Sequence, residues 1–226
     1  MSNTQCFKQF LIVLLLLFTG RMAAQSFETG GLLGVEYEMK ILKGWHWGAE
    51  AEARFDENFT HFNRFKVAVG TDYTFWKKRI KIGVGYGYLN YHKDDYFESR
   101  HRLTGSLTLA EKFGNWKLSY RAVFQSTFRD DRRGDYTFNP KTYMRNRLAV
   151  SYKIPGKPLK LHASEEFWWR LYHPEHNIID ELRTVIGVEY TINKRYTLDF
   201  FLRSNNEVQV SNPRHILYVG VRYGFE

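Results

Sequence analysis

The stretch His215-Ile-Leu-Tyr-Val-Gly-Val-Arg-Tyr-Gly-Phe-Glu226 ends the chain, and its reading decides the fold. Leu217, Val219, Val221, Tyr223 and Phe225 alternate with Tyr218, Gly220, Arg222 and Gly224, and His215 joins the second set after one slip near Ile216. A period of two is that of a strand, whose successive side chains point to opposite faces. The same alternation runs back through the chain. Trp45, Trp47, Ala49, Ala51, Ala53 and Phe55 interleave with His46, Gly48, Glu50, Glu52, Arg54 and Asp56. Eleven such runs are expected, near 32–42, 45–56, 64–76, 79–92, 100–113, 116–128, 143–154, 159–172, 181–192, 196–205 and 215–225. Each is long enough to cross a bilayer at a tilt, which takes about 9–11 residues. Strands of ordinary globular sheets are shorter, about 5–6 residues.

The connections alternate too. Short turns are expected at Lys43-Gly44, Lys77-Lys78, Gly114-Asn115, Pro155-Gly-Lys-Pro158 and Asn193-Lys-Arg195, and longer loops at 57–63, 93–99, 129–142, 173–180 and 206–214. Short turns on one rim and long loops on the other is the arrangement of outer-membrane barrels. An odd strand count conflicts with the even counts of bacterial barrels, which keep both chain ends on one side. Either 32–42 lies outside the barrel wall, leaving ten strands, or 25–31 supplies a twelfth. The expectation is an all-β, antiparallel, transmembrane up-and-down barrel of ten to twelve strands over residues 25–226.

Ahead of it, Lys8, the nine apolar residues Phe10–Phe18 and Thr19-Gly-Arg-Met-Ala-Ala24 read as a secretory signal cleaved after residue 24. Nine apolar residues are too few for a spanning helix, which needs about 20. Cys6, the one cysteine, leaves with the signal, so no disulfide staples the exported chain. The signal carries Lys8 and Arg21 and no acid, so a net charge of +9 becomes +9 − 2 = +7. That balance suits anionic lipid or a small anion, and export argues against nucleic acid. Mean hydropathy is −0.48, which a barrel tolerates because its polar inward residues dilute the lipid-facing ones. Aromatics at 17% fit interfacial girdles.

Gly220-x-x-Tyr223-x-Phe225 resembles the C-terminal signal by which bacterial outer-membrane barrels are recognised for insertion, with Glu226 one residue beyond the usual end. Arg145-Asn-Arg-Leu148, Tyr152-Lys-Ile-Pro-Gly-Lys-Pro-Leu159 and Ala163-Ser-Glu-Glu166 resemble an uncharacterised family of Gram-negative outer-membrane barrels, domain of unknown function 2490. Glu50-Ala-Glu-Ala-Arg-Phe-Asp-Glu-Asn58 and Arg100-His-Arg-Leu103 are similar to its other recurring pieces. The resemblance implies a barrel in the outer membrane of a Gram-negative bacterium. Its partners would be outer-membrane lipids and, during insertion, the assembly machinery. It implies no activity.

The polar faces carry a pattern of their own. Arg54, Arg64, Lys66, Arg100, Arg102, Arg145, Arg147, Arg170, Arg183 and Arg203 fall on inward positions near the long-loop ends of their strands, forming a basic belt. The acids expected at matching depth are Glu50, Glu52, Asp56 and Glu166. Arginine binds carboxylate and phosphate in a planar, bidentate way. A salt-bridged plug is the preferred reading, because a narrow barrel fills its interior with side chains. A lumen that binds or passes small anions is the next. Glu165 falls on the outward face unless a bulge shifts the register.

His162 and Ser164 share the inward face, at the spacing of the outer-membrane phospholipase pair. Those enzymes follow the serine with Asn-Gly, whereas here Glu165-Glu166 follows, so a lipid hydrolase is the lesser reading and a catalytic role is not expected. Lys43, Lys77, Lys78, Lys81, Lys112, Lys117, Lys153, Lys157, Lys160 and Lys194 mark the short-turn rim and read as snorkelling to headgroups. Asp94-Asp95 and Asp130-Asp131 lack metal-loop spacing, and Arg133-Gly-Asp135 matches an adhesion tripeptide that chance explains better in a loop rich in Arg and Asp. No metal or cofactor is expected. A structural role beside another envelope complex leaves no mark in the sequence.

Overall fold

Long alternating runs pair into one sheet, and a sheet this long removes its edges by closing on itself. The computed structural model describes residues 27–93, 96–129, 140–172, 178–209 and 213–225. The expected signal at 1–24, both aspartate pairs and Arg133-Gly-Asp135 lie outside them.

Eleven strands follow in order: β1 (Phe27–Leu42), β2 (Trp45–Asp56), β3 (His61–Phe75), β4 (Ile80–Lys93), β5 (Tyr96–Phe113), β6 (Trp116–Arg129), β7 (Lys141–Lys153), β8 (Leu159–Leu171), β9 (Ile178–Thr191), β10 (Tyr196–Glu207) and β11 (His215–Phe225). They form a closed all-β barrel in which each strand pairs antiparallel with its neighbour in sequence. Closure comes from a parallel pairing of β1 with β11, Phe27 opposite His215 and Tyr37 opposite Phe225. The two ends of the barrel therefore lie on opposite rims.

Several sequence expectations are corrected here. Residues 27–31 are neither loop nor twelfth strand; they begin β1, and β1 is part of the wall. Gly30 is tolerated because the Tyr218 ring of β11 lies where a side chain would stand, 2.8 Å from an ideal Cβ. β11 has no slip: Ile216 points inward with Tyr218, both buried. The loops expected at 57–63 and 93–99 shrink to 57–60 and 94–95, because β3 and β5 start earlier than their alternation does. Alternation is lost at the top of β3 because Asn63 is an extra residue there, bulged opposite the Arg54–Phe55 step of β2. Glu57, Asn58 and Phe59 then turn the chain with left-handed backbones. The Asn58 side-chain oxygen anchors that turn to β1 by accepting from the Thr29 hydroxyl at 2.8 Å. The longer connections at 130–140, 172–177 and 208–214 remain on one rim, with 43–44, 76–79, 114–115, 154–158 and 192–195 on the other.

Polarity is inverted relative to an ordinary domain. Of the buried apolar residues, Leu32, Phe201, Ile216 and Tyr218 form a small cluster, and Leu89, Val123, Tyr143 and Trp168 are buried apart from it. Glu52, Arg54, Glu98, Gln125, Glu166, Asp180, Arg203 and Asn205 are buried inside. Outside, Leu33, Val67, Val69, Ile82, Val84, Leu103, Leu107, Leu148, Phe200, Leu202 and Val219 are exposed.

Candidate functional site

Strand register places the belt. Arg54 stands opposite Arg64, Glu52 opposite Lys66, Arg147 opposite Glu166, Glu166 opposite Arg183, and Arg203 opposite Tyr218. These ladders, with those of β4 to β7, put all ten belt cations and Glu50, Glu52, Asp56 and Glu166 on the interior face. Glu165 stays on the outer face and accepts from the Thr184 hydroxyl at 2.6 Å. The nearest bulge falls beyond it, in β9, where Asp180 is an extra residue opposite the Trp168–Trp169 step.

Seven of the ten cations have an acid partner. Glu166 takes Arg145 through both carboxylate oxygens, at 2.9 and 3.0 Å, and also receives the Trp168 indole N–H at 3.0 Å. Arg183 holds Glu181 at 2.7 Å and reaches Glu166 at 3.5 Å. Lys66 meets Glu50 at 2.9 Å, and Arg100 meets Glu98. Glu52 is shared by Arg64 at 3.3 Å, Arg54 at 3.8 Å and Arg203 at 3.9 Å. Asp56 accepts the Tyr218 hydroxyl at 2.7 Å instead. Arg102, Arg147 and Arg170 form no ion pair with any described residue. Glu98 and Glu181 add two acids that the alternation overlooked, so the cationic excess is smaller than the sequence suggests.

Three interior aromatics organise the arginines, and none of them is marked in the sequence. Trp168 lies under Arg145 and Arg183, with guanidinium carbons 3.9 and 4.4 Å from its ring centre. Tyr91 carries Arg100 at 3.9 Å and Arg64 at 5.2 Å. Tyr218 carries Arg54 and Arg203, both at 4.9 Å. A ring face attracts a cation while leaving its N–H groups free to donate sideways. Each aromatic therefore packs two like charges together without neutralising them.

At the long-loop rim this arrangement surrounds a cavity of about 200 Å³. Arg54, Arg64, Tyr91 and Tyr218 line it together with Asp56, Asn63, Glu181, Asn205, Glu207, Arg214 and Ile216. Arg54 Nε and Nη2 and Arg64 Nε are buried without a hydrogen-bond partner, as are Nε and Nη2 of Arg203. The Arg214 guanidinium, in the connection after β10, donates to Glu28 at 2.7 Å, and that bond holds it in its charged form above the ordinary range.

The other half of the interior differs. Lys81, Lys112, Lys117, Lys153 and Lys160 lie on inward register positions, which corrects their reading as headgroup lysines. Lys81 pairs with Asp72 and Lys160 with Glu189. His162 crosses over Gly187 to Asp199, Nε2 to Oδ1 at 2.7 Å. Ser164 is inward beside it, and no hydrogen bond joins the two. Of the insertion-signal residues, Gly220 faces inward under the Phe201 ring. Tyr223 and Phe225 face outward, against Tyr196 and Tyr37.

A family model described as "Protein of unknown function (DUF2490)" matches residues 29–215. No curated protein matches the chain. A solved structure described as "Unveiling the Mechanism Behind the in-meso Crystallization of Membrane Proteins" aligns over 84% of this chain and 80% of its own, with 11% identity and a TM-score of 0.41.

Proposed function

We propose that this chain, which belongs to the DUF2490 family, is an integral barrel of a Gram-negative outer membrane whose closed, arginine-rich interior binds small anions at its mouth. The observation that carries the membrane reading is the inversion of polarity, with charge inside and an apolar belt outside. A protein in water does not leave so broad an apolar surface uncovered. Aromatics bound that belt at both rims. Trp45, Tyr73, Phe113, Tyr196 and Tyr223 stand at one, and Phe55, Phe62, Phe97, Phe128 and Trp169 at the other. Trp45 and Phe55 on β2 are ten residues apart, about 33 Å of strand. At the usual tilt near 40° that spans about 25 Å of height, the thickness of an outer-membrane apolar band. The three long connections would face outward from the cell, and lipids and the assembly machinery would be the partners during and after insertion.

Within the barrel, binding is favoured over passage. Glu52, Arg54, Glu166 and Arg203 are each less than 8% exposed, so side chains fill the lumen at the belt. The lipid-hydrolase alternative is weaker, because His162 directs Nε2 to Asp199 rather than to Ser164. Folded in detergent, the protein should be β-rich and migrate differently on gels when unheated. In planar bilayers with asymmetric salt it should give no steady conductance. A chain that remains monodisperse without detergent ends the membrane reading, and a stable open channel ends the closed-lumen one. Phospholipid hydrolysis abolished by Ser164→Ala would restore the enzyme reading.

A further inference from the structure

We infer that the cavity at the long-loop mouth is a site for a small hydroxylated anion, a carboxylate or phosphate carried on a sugar or polyol. This rests on the membrane-barrel, anion-binding reading above and specifies its site and ligand chemistry. The cavity, about 200 Å³, has the room of roughly six waters at ~30 Å³ each, which suits a single sugar acid.

The donors come first. Arg54 is 7% exposed, yet its Nε and Nη2 have no hydrogen-bond partner, and Glu52 stands 3.8 Å away, beyond hydrogen-bond reach. Arg64 lines the same cavity; its Nη1 and Nη2 are engaged by Tyr91 and Glu52, but its Nε is not. Buried charged donors left unmade are costly, and a ligand carboxylate or phosphate would satisfy them in the planar geometry arginine favours.

The acceptors then restrict the ligand. Asn63 Oδ1 and Asn205 Oδ1 are also buried and unpartnered, and both residues line the cavity. Its three acids each place one carboxylate oxygen on a protein donor, Asp56 on Tyr218, Glu181 on Arg183 and Asn205, and Glu207 on the Arg214 backbone N–H. The buried acceptors left without a partner are the two neutral amide oxygens, and these suit hydroxyl groups. An anion with hydroxyls satisfies both sets at once; a bare anion satisfies one. Such a group could arrive as a free solute or as an acidic sugar of lipopolysaccharide beside the mouth.

The test is titration of the detergent-folded barrel with galacturonate, galactose, inorganic phosphate and glutamate, read by calorimetry. Galacturonate should bind saturably and at least tenfold tighter than each of the others. Arg54→Gln should weaken it about tenfold or more, as loss of a charge-assisted hydrogen bond does. Asn63→Ala, which removes only an acceptor, should weaken galacturonate and leave phosphate unchanged. Each variant is first checked by its heat-dependent gel shift; absence of that shift in the parent protein is failure of the barrel reading, not of the site. Should Arg54→Gln not fold, Asn63→Ala carries the test. A folded parent that binds no galacturonate, or binds glutamate or phosphate equally well, overturns the assignment, as does binding unchanged in the variants. That outcome would leave the cavity to water. Displacement of galacturonate by lipopolysaccharide micelles would support the site with the membrane sugar as its source, and lack of displacement would support it with a free solute.

Discussion

Glu166 is 4% exposed and accepts four hydrogen bonds from three residues: two from Arg145 Nη2, one from Trp168 and a longer one from Arg183. Removing one partner of a buried ion pair leaves its charge without compensation, at a cost of about 3–5 kcal/mol. Glu166→Ala should lower the urea stability of the refolded barrel by about that amount. Glu165→Ala removes an outward carboxylate whose hydrogen-bond partner is Thr184, and should cost about 1 kcal/mol. Equal losses would mean that the interior network contributes nothing beyond ordinary strand contacts. The belt itself could be read from parity, because every belt arginine keeps its alternation. Of its partners, Glu50, Glu52 and Glu166 share that parity, but the rest of the interior network could not be read. Glu98 falls in a segment that reads as a loop, and Asp180 reaches Tyr143 at 2.6 Å because the β8–β9 bulge turns it inward. Trp168 lies between Phe167 and Trp169, so three aromatics in a row hide which one points inside. Tyr91 looks like a girdle residue until the register is known, and the parity that sets Tyr218 with Gly220 and Arg222 gives no sign of the arginines on it.

At the scale of the strand, alternation is legible because one face of each strand meets a different medium from the other. It fails where the backbone departs from a simple ladder. The early start of β3, at His61, lies beyond that strand's own bulge at Asn63, and the early start of β1 contains Gly30-Gly31, which read as breakers. Gly220 on β11 shows why such glycines are needed inside. The Phe201 ring of β10 occupies the space a Cβ would take, and the flat ring covers the bare backbone, as aromatics do beside sheet glycines. Gly220→Val forces that ring off its position, an overpacking cost of about 1–3 kcal/mol. It should slow the appearance of the heat-modifiable form and lower its stability. In a Phe201→Ala background the same Gly220→Val change should cost much less, since the ring causes the clash. If it costs as much without the ring as with it, Gly220 is needed for its backbone or for recognition at insertion, and not for room.

For the whole molecule, the decisive contact is the parallel seam between β1 and β11. Bacterial barrels with even strand counts close antiparallel and keep both ends on one side, although an odd, nineteen-strand mitochondrial barrel is known. Here the seam is held at one end by Arg214 and Glu28 at 2.7 Å and lower down by Arg222 and Glu36 at 3.1 Å. Tyr37 packs on Phe225 at 4.9 Å on the outer face. Alternation alone could not reveal the seam, since period two states which face a residue occupies and nothing about which strand lies beside it. Register makes the seam testable. Leu33 stands opposite Val221 on β11 and opposite Ala53 on β2, all three on the outer face. In a Cys6→Ser background, which removes the chain's one cysteine, paired cysteines at 33 and 221 should be joined by a short bis-thiol reagent in the folded barrel. The pair at 33 and 53 is the companion measurement, because it reports the β1–β2 ladder directly. Cysteines at 53 and 221 are separated by β1, about two strand spacings or roughly 9–10 Å, and should join poorly with the same reagent. The opposite result, with 53 joined to 221 and 33 left free, would place β1 outside the wall and return the barrel to ten strands with both ends on one rim.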